Sequence, residues 1–255
     1  TSLALLGAGC SKNNTATKTS TSSTSTSVAQ TTATSTTNKS ESSGIDWDSL
    51  PTKNVTLSDQ TLTIEQAGTY VLSGTTSAGV VIKTDGNVRL ILDNAKISSQ
   101  NSAAILAEDA ENVVIETKDG TTNTIADSTT HDSQDFDSAI YIKNNLFLSG
   151  SGKLTVTGNT ADAIVAKDEL TISGGELDVT AADDGIIGRD TTTITGGKIT
   201  VNAAGDGIKA TNDEDQTKGN LTISDGTVFV SAGDDGVKAE EKLTIDGGTK
   251  DLIKH

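Results

Sequence analysis

The chain of 255 residues has no methionine, one proline, one cysteine and only 2% aromatic side chains. Each shortage excludes something. With three Phe, two Tyr and one Trp, a broad globular core would be poorly supplied with large side chains. A lone cysteine, Cys10, excludes an intramolecular disulfide. With no cysteine in the body and only His131 and His255, zinc and copper lack their usual donors. Basic residues are scarce as well: 19 Lys and Arg stand against 35 Asp and Glu, a net charge of −16. Such a chain repels nucleic acid and anionic membranes, which need a basic footprint. Cations, or a ligand held through cations, fit it better; acidity that serves only solubility is the alternative.

What is present begins with "TSLALLGAGC", residues 1–10. The apolar run Leu3–Leu6, the small residues Gly7, Ala8 and Gly9, and then Cys10 resemble the end of a bacterial lipoprotein signal. That resemblance implies a lipidated Cys10, export, and a lipid anchor as the only membrane contact. The next 33 positions, 11–43, hold 21 Ser or Thr and almost nothing large enough to bury. Such a segment cannot offset its ordering entropy, so 11–44 is expected to be a disordered tether. After it, no stretch is long enough to span a bilayer.

From residue 45 the chain is a repeat. An aliphatic residue follows each acidic step, at Ile164, Ile186, Ile208 and Val237, with intervals of 22, 22 and 29. The long interval contains an insertion, "TNDEDQTKG" (211–219). Upstream, Ile140 lies 24 residues before Ile164, and Ile105 begins a looser copy. Each unit divides into three alternating pieces, such as "DAIVA" (162–166), "ELTIS" (169–173) and "ELDVT" (176–180). Paired glycines at 174–175, 196–197 and 247–248 mark a corner where positive φ is cheap. Three short strands per turn of ~22 residues describe an all-β parallel β-helix, whose thin aliphatic core needs no aromatic bulk. Residues 45–130 are less regular, the earliest of them acting as a cap, and 131–255 form the regular coils.

The acidic steps also stack. In a parallel β-helix equivalent positions lie about 4.8 Å apart. The column is Asp162, Asp184, Asp206 and Asp235, with Asp183 and Asp234 one residue earlier. Two carboxylates at that spacing repel by about 3.5 kcal/mol at an effective dielectric of ~20. A hard divalent cation between coils turns repulsion into attraction, and Ca2+, which takes six to eight oxygens, suits best. The alternative is that Asp-Gly simply makes a good turn, Asp capping the backbone and Gly taking positive φ. Asp213 and Asp215 in the insertion are a second acidic site or a solvated loop. In "HDSQDFDSAI" (131–140), His131 and its aspartates chelate, or the segment is a solvated excursion.

The order "AGTYVLSG", "VRLILDNAKI", "GSGKLTVTG", "DELTISGGELDVTAADDGI", "NDEDQTKGNLTISDGTV" and "AGDDGVKAEEKLTIDGG" is similar, over about residues 50–250, to a family of bacterial carbohydrate-binding β-helix proteins. That family is typified by a clostridial surface protein that binds cellulose and pectin. The resemblance implies a right-handed coil similar to polysaccharide lyases, bound calcium, and a plant cell-wall polysaccharide as partner. Three functions stay open. A noncatalytic binder would hold an acidic glycan through calcium, with Arg189, Lys209 and Lys238 near the ligand. A lyase would need one of those groups as base, although a lysine there equally neutralises neighbouring carboxylates. A surface scaffold would self-associate through its C-terminal end, where "TKDLIKH" follows a full unit without an obvious polar cap.

Overall fold

A computed structural model describes residues 44–254; Cys10 and the tether predicted for 11–44, apart from residue 44, lie outside them. The architecture is all-β, with strands in parallel sheets and two single-turn 3-10 segments, Trp47–Ser49 and Gln134–Phe136. Parallel strands need crossover connections, and here each crossover is one coil of the repeat. One sheet has eight short strands: Leu62–Ile64, Val80–Ile82, Ile105–Ala107, Ser138–Ile142, Asp162–Ala166, Ile186–Gly188, Ile208–Ala210 and Val237–Ala239. Its register runs Ile105, Ile140, Ile164, Ile186, Ile208, Val237, so the residues aligned by the repeat are paired neighbours.

The other sheet has 15 strands and two flanks. The first flank ends in Glu169–Ile172, Thr191–Ile194, Asn220–Ile223 and Lys242–Ile245; the second in Glu176–Ala181, Lys198–Ala203, Thr227–Ala232 and Thr249–Lys254. They join at the 11-residue strand Val88–Ser98, which turns at Asn94 (φ 56°). Parallel strands stacked coil upon coil in this way are consistent with a β-solenoid.

Alternation fills the interior. Ile164, Leu170, Ile172, Leu177 and Val179 of one coil point inward and are buried, and the next coil repeats them with Ile186, Thr192, Ile194, Ile199 and Val201. Each fully buried Val, Leu or Ile contributes about 1.5–3 kcal/mol. Between Thr191 and Asn220 the first-flank register is continuous, so the insertion 211–219 leaves the coil without disturbing either flanking strand.

The glycines divide into two kinds. Gly175, Gly197 and Gly248 have φ of 82°, 93° and 76°, as the corner requires. The glycines of the acidic steps do not. Gly185 and Gly207 lie outside the left-handed region. They are glycine because a Cβ would meet core methyls and the next coil: at Gly185 it lies 2.5 Å from Val201 Cγ1, at Gly207 2.6 Å from the Gly236 carbonyl. Close coil-to-coil packing, and not a positive-φ bend, is what these positions demand.

The ends differ from the middle. At the start, the Arg89 guanidinium lies 5.3 Å over the Trp47 ring, and Thr52–Leu57 pairs with Gly68–Thr76. The early coils are less regular, with a register shift between Leu72 and Gly74. In the last described coil, Leu243, Ile245 and Leu252 pair with buried Leu221, Ile223 and Val230 yet are 45%, 43% and 39% exposed. Among the described residues no helix is long and apolar enough to cross a membrane.

Candidate functional site

The acidic column forms at the entry to the short-strand sheet. Each column carboxylate accepts the backbone N–H of the column aspartate on the next coil. Asp162 Oδ1 accepts from Asp184 at 3.0 Å, Asp184 Oδ1 from Asp206 at 2.7 Å, and Asp206 Oδ1 from Asp235 at 3.0 Å. Side-chain acceptors thus satisfy the amides where one coil passes to the next. On the first flank of earlier coils asparagine side chains bond to one another, Asn145 donating to Asn112 and Asn112 to Asn87, and the Asn145 Oδ1 accepts the Glu169 N–H at 3.2 Å.

Cations from the protein answer part of the repulsion. Lys209 Nζ pairs with Asp184 and lies 3.4 Å from Asp206. Lys238 Nζ is 3.5 Å from Asp206, and Lys254 Nζ is 3.6 Å from Asp235. Burial opposes charge on Lys209, but the two carboxylates outweigh it and hold its pKa above the usual lysine value. Burial likewise pushes Asp206 upward, and the Asp235 amide with Lys209 and Lys238 reverses this, leaving it below the usual carboxylate range. The lysines that follow the acidic steps therefore sit on the column as neutralising partners.

The opposite end has one such partner. Asp162, Asp183 and Asp184 offer carboxylate oxygens within 4.8 Å of one another. Among the described residues no Lys or Arg closes an ion pair with Asp162 or Asp183; of the three, only Asp184 is paired, with Lys209. Burial, with the charges of Asp184, Asp137 and Asp183, raises the Asp162 pKa to about 7 against the one favourable Asp184 amide. Burial and Asp184 raise Asp183 too. An all-oxygen donor set of three carboxylates with one lysine among them keeps a net negative charge and suits a hard cation, and without His or Cys it does not suit zinc.

Of the other predicted ligands, Asp206, Asp234 and Asp235 fall outside this group of three. Asp213 and Asp215 lie in the insertion. Asp215 Oδ1 accepts the N–H of Thr217 at 2.9 Å and its hydroxyl at 2.7 Å. The loop is further held by Arg189, which pairs with Glu214 at 2.7 Å, by Lys218 on Asp190 at 2.6 Å, and by buried Asn212 on the same carboxylate. The insertion is a braced loop, and Arg189 is one of its braces.

The segment 131–137 is no solvated excursion at His131. That side chain is fully buried, with Nε2 2.8 Å from Asp127 Oδ2 and Nδ1 2.5 Å from the Phe136 carbonyl. Phe136 packs edge-on to Tyr141, with ring centroids 5.0 Å apart, over the outer side of the short-strand sheet. There Leu106, Tyr141, Val165 and Ile187 form a second apolar cluster that the sequence reading missed. Its signal was the outward position between the core residues, which is apolar in these coils and becomes Lys209 and Lys238 in the next two.

A family profile described as carbohydrate-binding domain-containing protein matches residues 58–255. A curated protein of that description from Acetivibrio thermocellus is 30% identical over 135 residues, 50% of this chain and 47% of that protein. The chain thus spans about half the length of this relative. Among solved structures, a polysaccharide lyase-like protein from C. thermocellum, determined as a gadolinium derivative, aligns with a TM-score of 0.69 and 28% identity, over 80% of this chain and 94% of that one. With the profile covering the whole coil stack after its first strand, the chain belongs to the family of carbohydrate-binding domain-containing proteins.

Proposed function

We propose that this protein is a noncatalytic binder of cell-wall polysaccharide, wound as a right-handed β-helix, in which Ca2+ sits at Asp162, Asp183 and Asp184 and bridges to an acidic glycan. The family supports the carbohydrate, and the near-universal right hand of parallel crossovers supports the winding. The observation that carries the calcium is the cluster of three carboxylates answered by a single lysine, Lys209 on Asp184, with no ion pair at Asp162 or Asp183. Binding is favoured over elimination chemistry because Arg189 and Lys209 are already committed to carboxylates. Lipidation at Cys10 and a tether over 11–44 would hold the domain at the bacterial surface.

The test is retention on immobilised polygalacturonate, with a thermal melt on the same samples. Calcium at about 100 times its Kd stabilises a single site by about 2.7 kcal/mol. The expected result is a higher melting temperature with calcium and loss of retention in EDTA. Retention undiminished by excess EDTA removes the bridging role; unsaturated product absorbing in the ultraviolet identifies a lyase instead.

A further inference from the structure

The second flank carries an outer surface that none of this uses. In Thr227–Ala232, Val228 and Val230 point into the core, so Phe229 points out and is 38% exposed. It is the one aromatic among the large exposed hydrophobic residues described. Parallel register places it next to Thr200, which neighbours Asp178, which neighbours Thr155. Two residues along each strand runs a second outward row: Ser231, Asn202, Thr180 and Thr157. Among the described side-chain hydrogen bonds, several engage Ser173, Thr195 and Ser224 on the first flank with backbone carbonyls. None engages the hydroxyls or amide of these two rows, so their donors and acceptors face outward unspent.

The edge of this surface on the side of Thr155 is electrically balanced, while on its other side Phe229 is the register partner of Asp251 in the last described coil. Lys153 pairs with Asp178 at 2.5 Å and with Glu176 at 3.4 Å, and Lys198 pairs with Glu176 at 3.1 Å. Two lysines thus meet two carboxylates, in contrast to the acidic column. The strands here have six residues each, against four in the first-flank strands of the same coils, which gives a wider platform. Each coil advances about 4.8 Å along the axis, roughly the length of one pyranose ring in an extended chain.

We infer that this face is a second glycan-binding surface, distinct from the aspartate cluster, and that it takes a neutral polysaccharide lying along the coil stack. Phe229 is the platform under one sugar ring, and the flanking Thr200 and Asn202 bond its hydroxyls. A neutral chain brings no charge to be bridged, so this face works without calcium. The inference rests on the carbohydrate-binding reading above, and names a surface and a ligand class for it.

The test is pull-down of the full chain on microcrystalline cellulose and on polygalacturonate, each with calcium and with EDTA. Wild-type protein should bind cellulose equally in both, while Phe229→Ala weakens cellulose binding about tenfold, as loss of an aromatic anchor does, and leaves polygalacturonate retention unchanged. Asn202→Ala should weaken cellulose binding less, and Thr193→Ala on the opposite flank not at all. Cellulose binding that vanishes in EDTA, or survives Phe229→Ala undiminished, overturns the inference. So does absence of cellulose binding in wild type that still retains polygalacturonate, an outcome that leaves the calcium-bridged reading standing. Retention on neither polymer overturns both.

Discussion

The two ends of the acidic column are built from the same motif and reach opposite electrostatic states. At Asp206 the carboxylate accepts an amide and faces two lysines, and its pKa falls below the usual range. At Asp162 the carboxylate accepts an equivalent amide, but burial and then three more carboxylates oppose its charge, and its pKa rises to about 7. Since the backbone bond is common to both, it does not decide the outcome. Burial opposes the charge at both. What differs is the charged company, set by the outward row: Val165 stands three positions after Asp162, whereas Lys209 stands three after Asp206 with Lys238 beside it. Side chains on an outer row separate a self-neutralised turn from a candidate cation site.

The largest expected effect comes from removing that difference at the basic end. Lys209→Met leaves Asp184 with no lysine and Asp206 with Lys238 alone, both carboxylates being largely buried. Breaking such a pair costs about 3–5 kcal/mol when fully buried, and about 3 kcal/mol is expected here because the lysine side chain keeps 17% exposure. Denaturant unfolding at neutral pH measures it. A variant as stable as wild type would mean that the lysine is not what balances the column.

The acidic end should respond to pH in the opposite sense to an ordinary salt-bridged carboxylate. Because the folded-state pKa of Asp162 is raised, the folded state binds its proton more tightly than the unfolded chain does. The corresponding stability is present below pH 4 and is lost as pH rises through about 7. In EDTA, melts taken across that window should show this decline superimposed on other titrations. Asp162→Asn keeps an oxygen for the Asp184 amide and removes the charge. It should abolish the decline, raise stability at pH 7 by on the order of 2 kcal/mol, and remove the calcium response. If the variant melts as wild type does at both pH values, Asp162 does not carry the uncompensated charge.

The smallest effect is expected at Arg189. Its partner Glu214 is 77% exposed, so Arg189→Ala should cost less than about 1 kcal/mol. It should also leave polygalacturonate retention intact, which distinguishes a loop brace from a ligand contact. A loss of retention without a loss of stability would restore Arg189 to the binding surface.

Much of the coil was legible in the chain because a solenoid writes its geometry in one dimension. The interval from Ile164 to Ile186 is the pairing of those residues, and Leu170 with Ile172 faces inward by simple alternation. The column of aspartates was legible for the same reason. Its state was less so, because that depends on which charges share a side of the coil. Lys209 follows its aspartate at an interval that allows either a ligand contact or a neutralising one, and only the stacked outer row decides. The glycines of the acidic steps suggested a bend, whereas the constraint is the methyl of a valine some sixteen to twenty-three residues away in sequence. His131 and Asp127 belong to no repeat, so nothing periodic announced that they meet.

The braced insertion at 211–219 has a practical meaning. It leaves after Ala210 and returns at Asn220 with both neighbouring strands still in register, so this corner accepts extra chain without a change of phase elsewhere. A foreign peptide spliced there, between the brace formed by Asn212 and that formed by Lys218, would be displayed at a fixed height on the stack. Residues added inside Ile186–Gly188 would instead slide the strand against its neighbours, and an odd-numbered slip would exchange core-facing Ile186 with Ile187 of the outer cluster. Where a solenoid tolerates growth is therefore a property of its corners, and this chain already marks one of them.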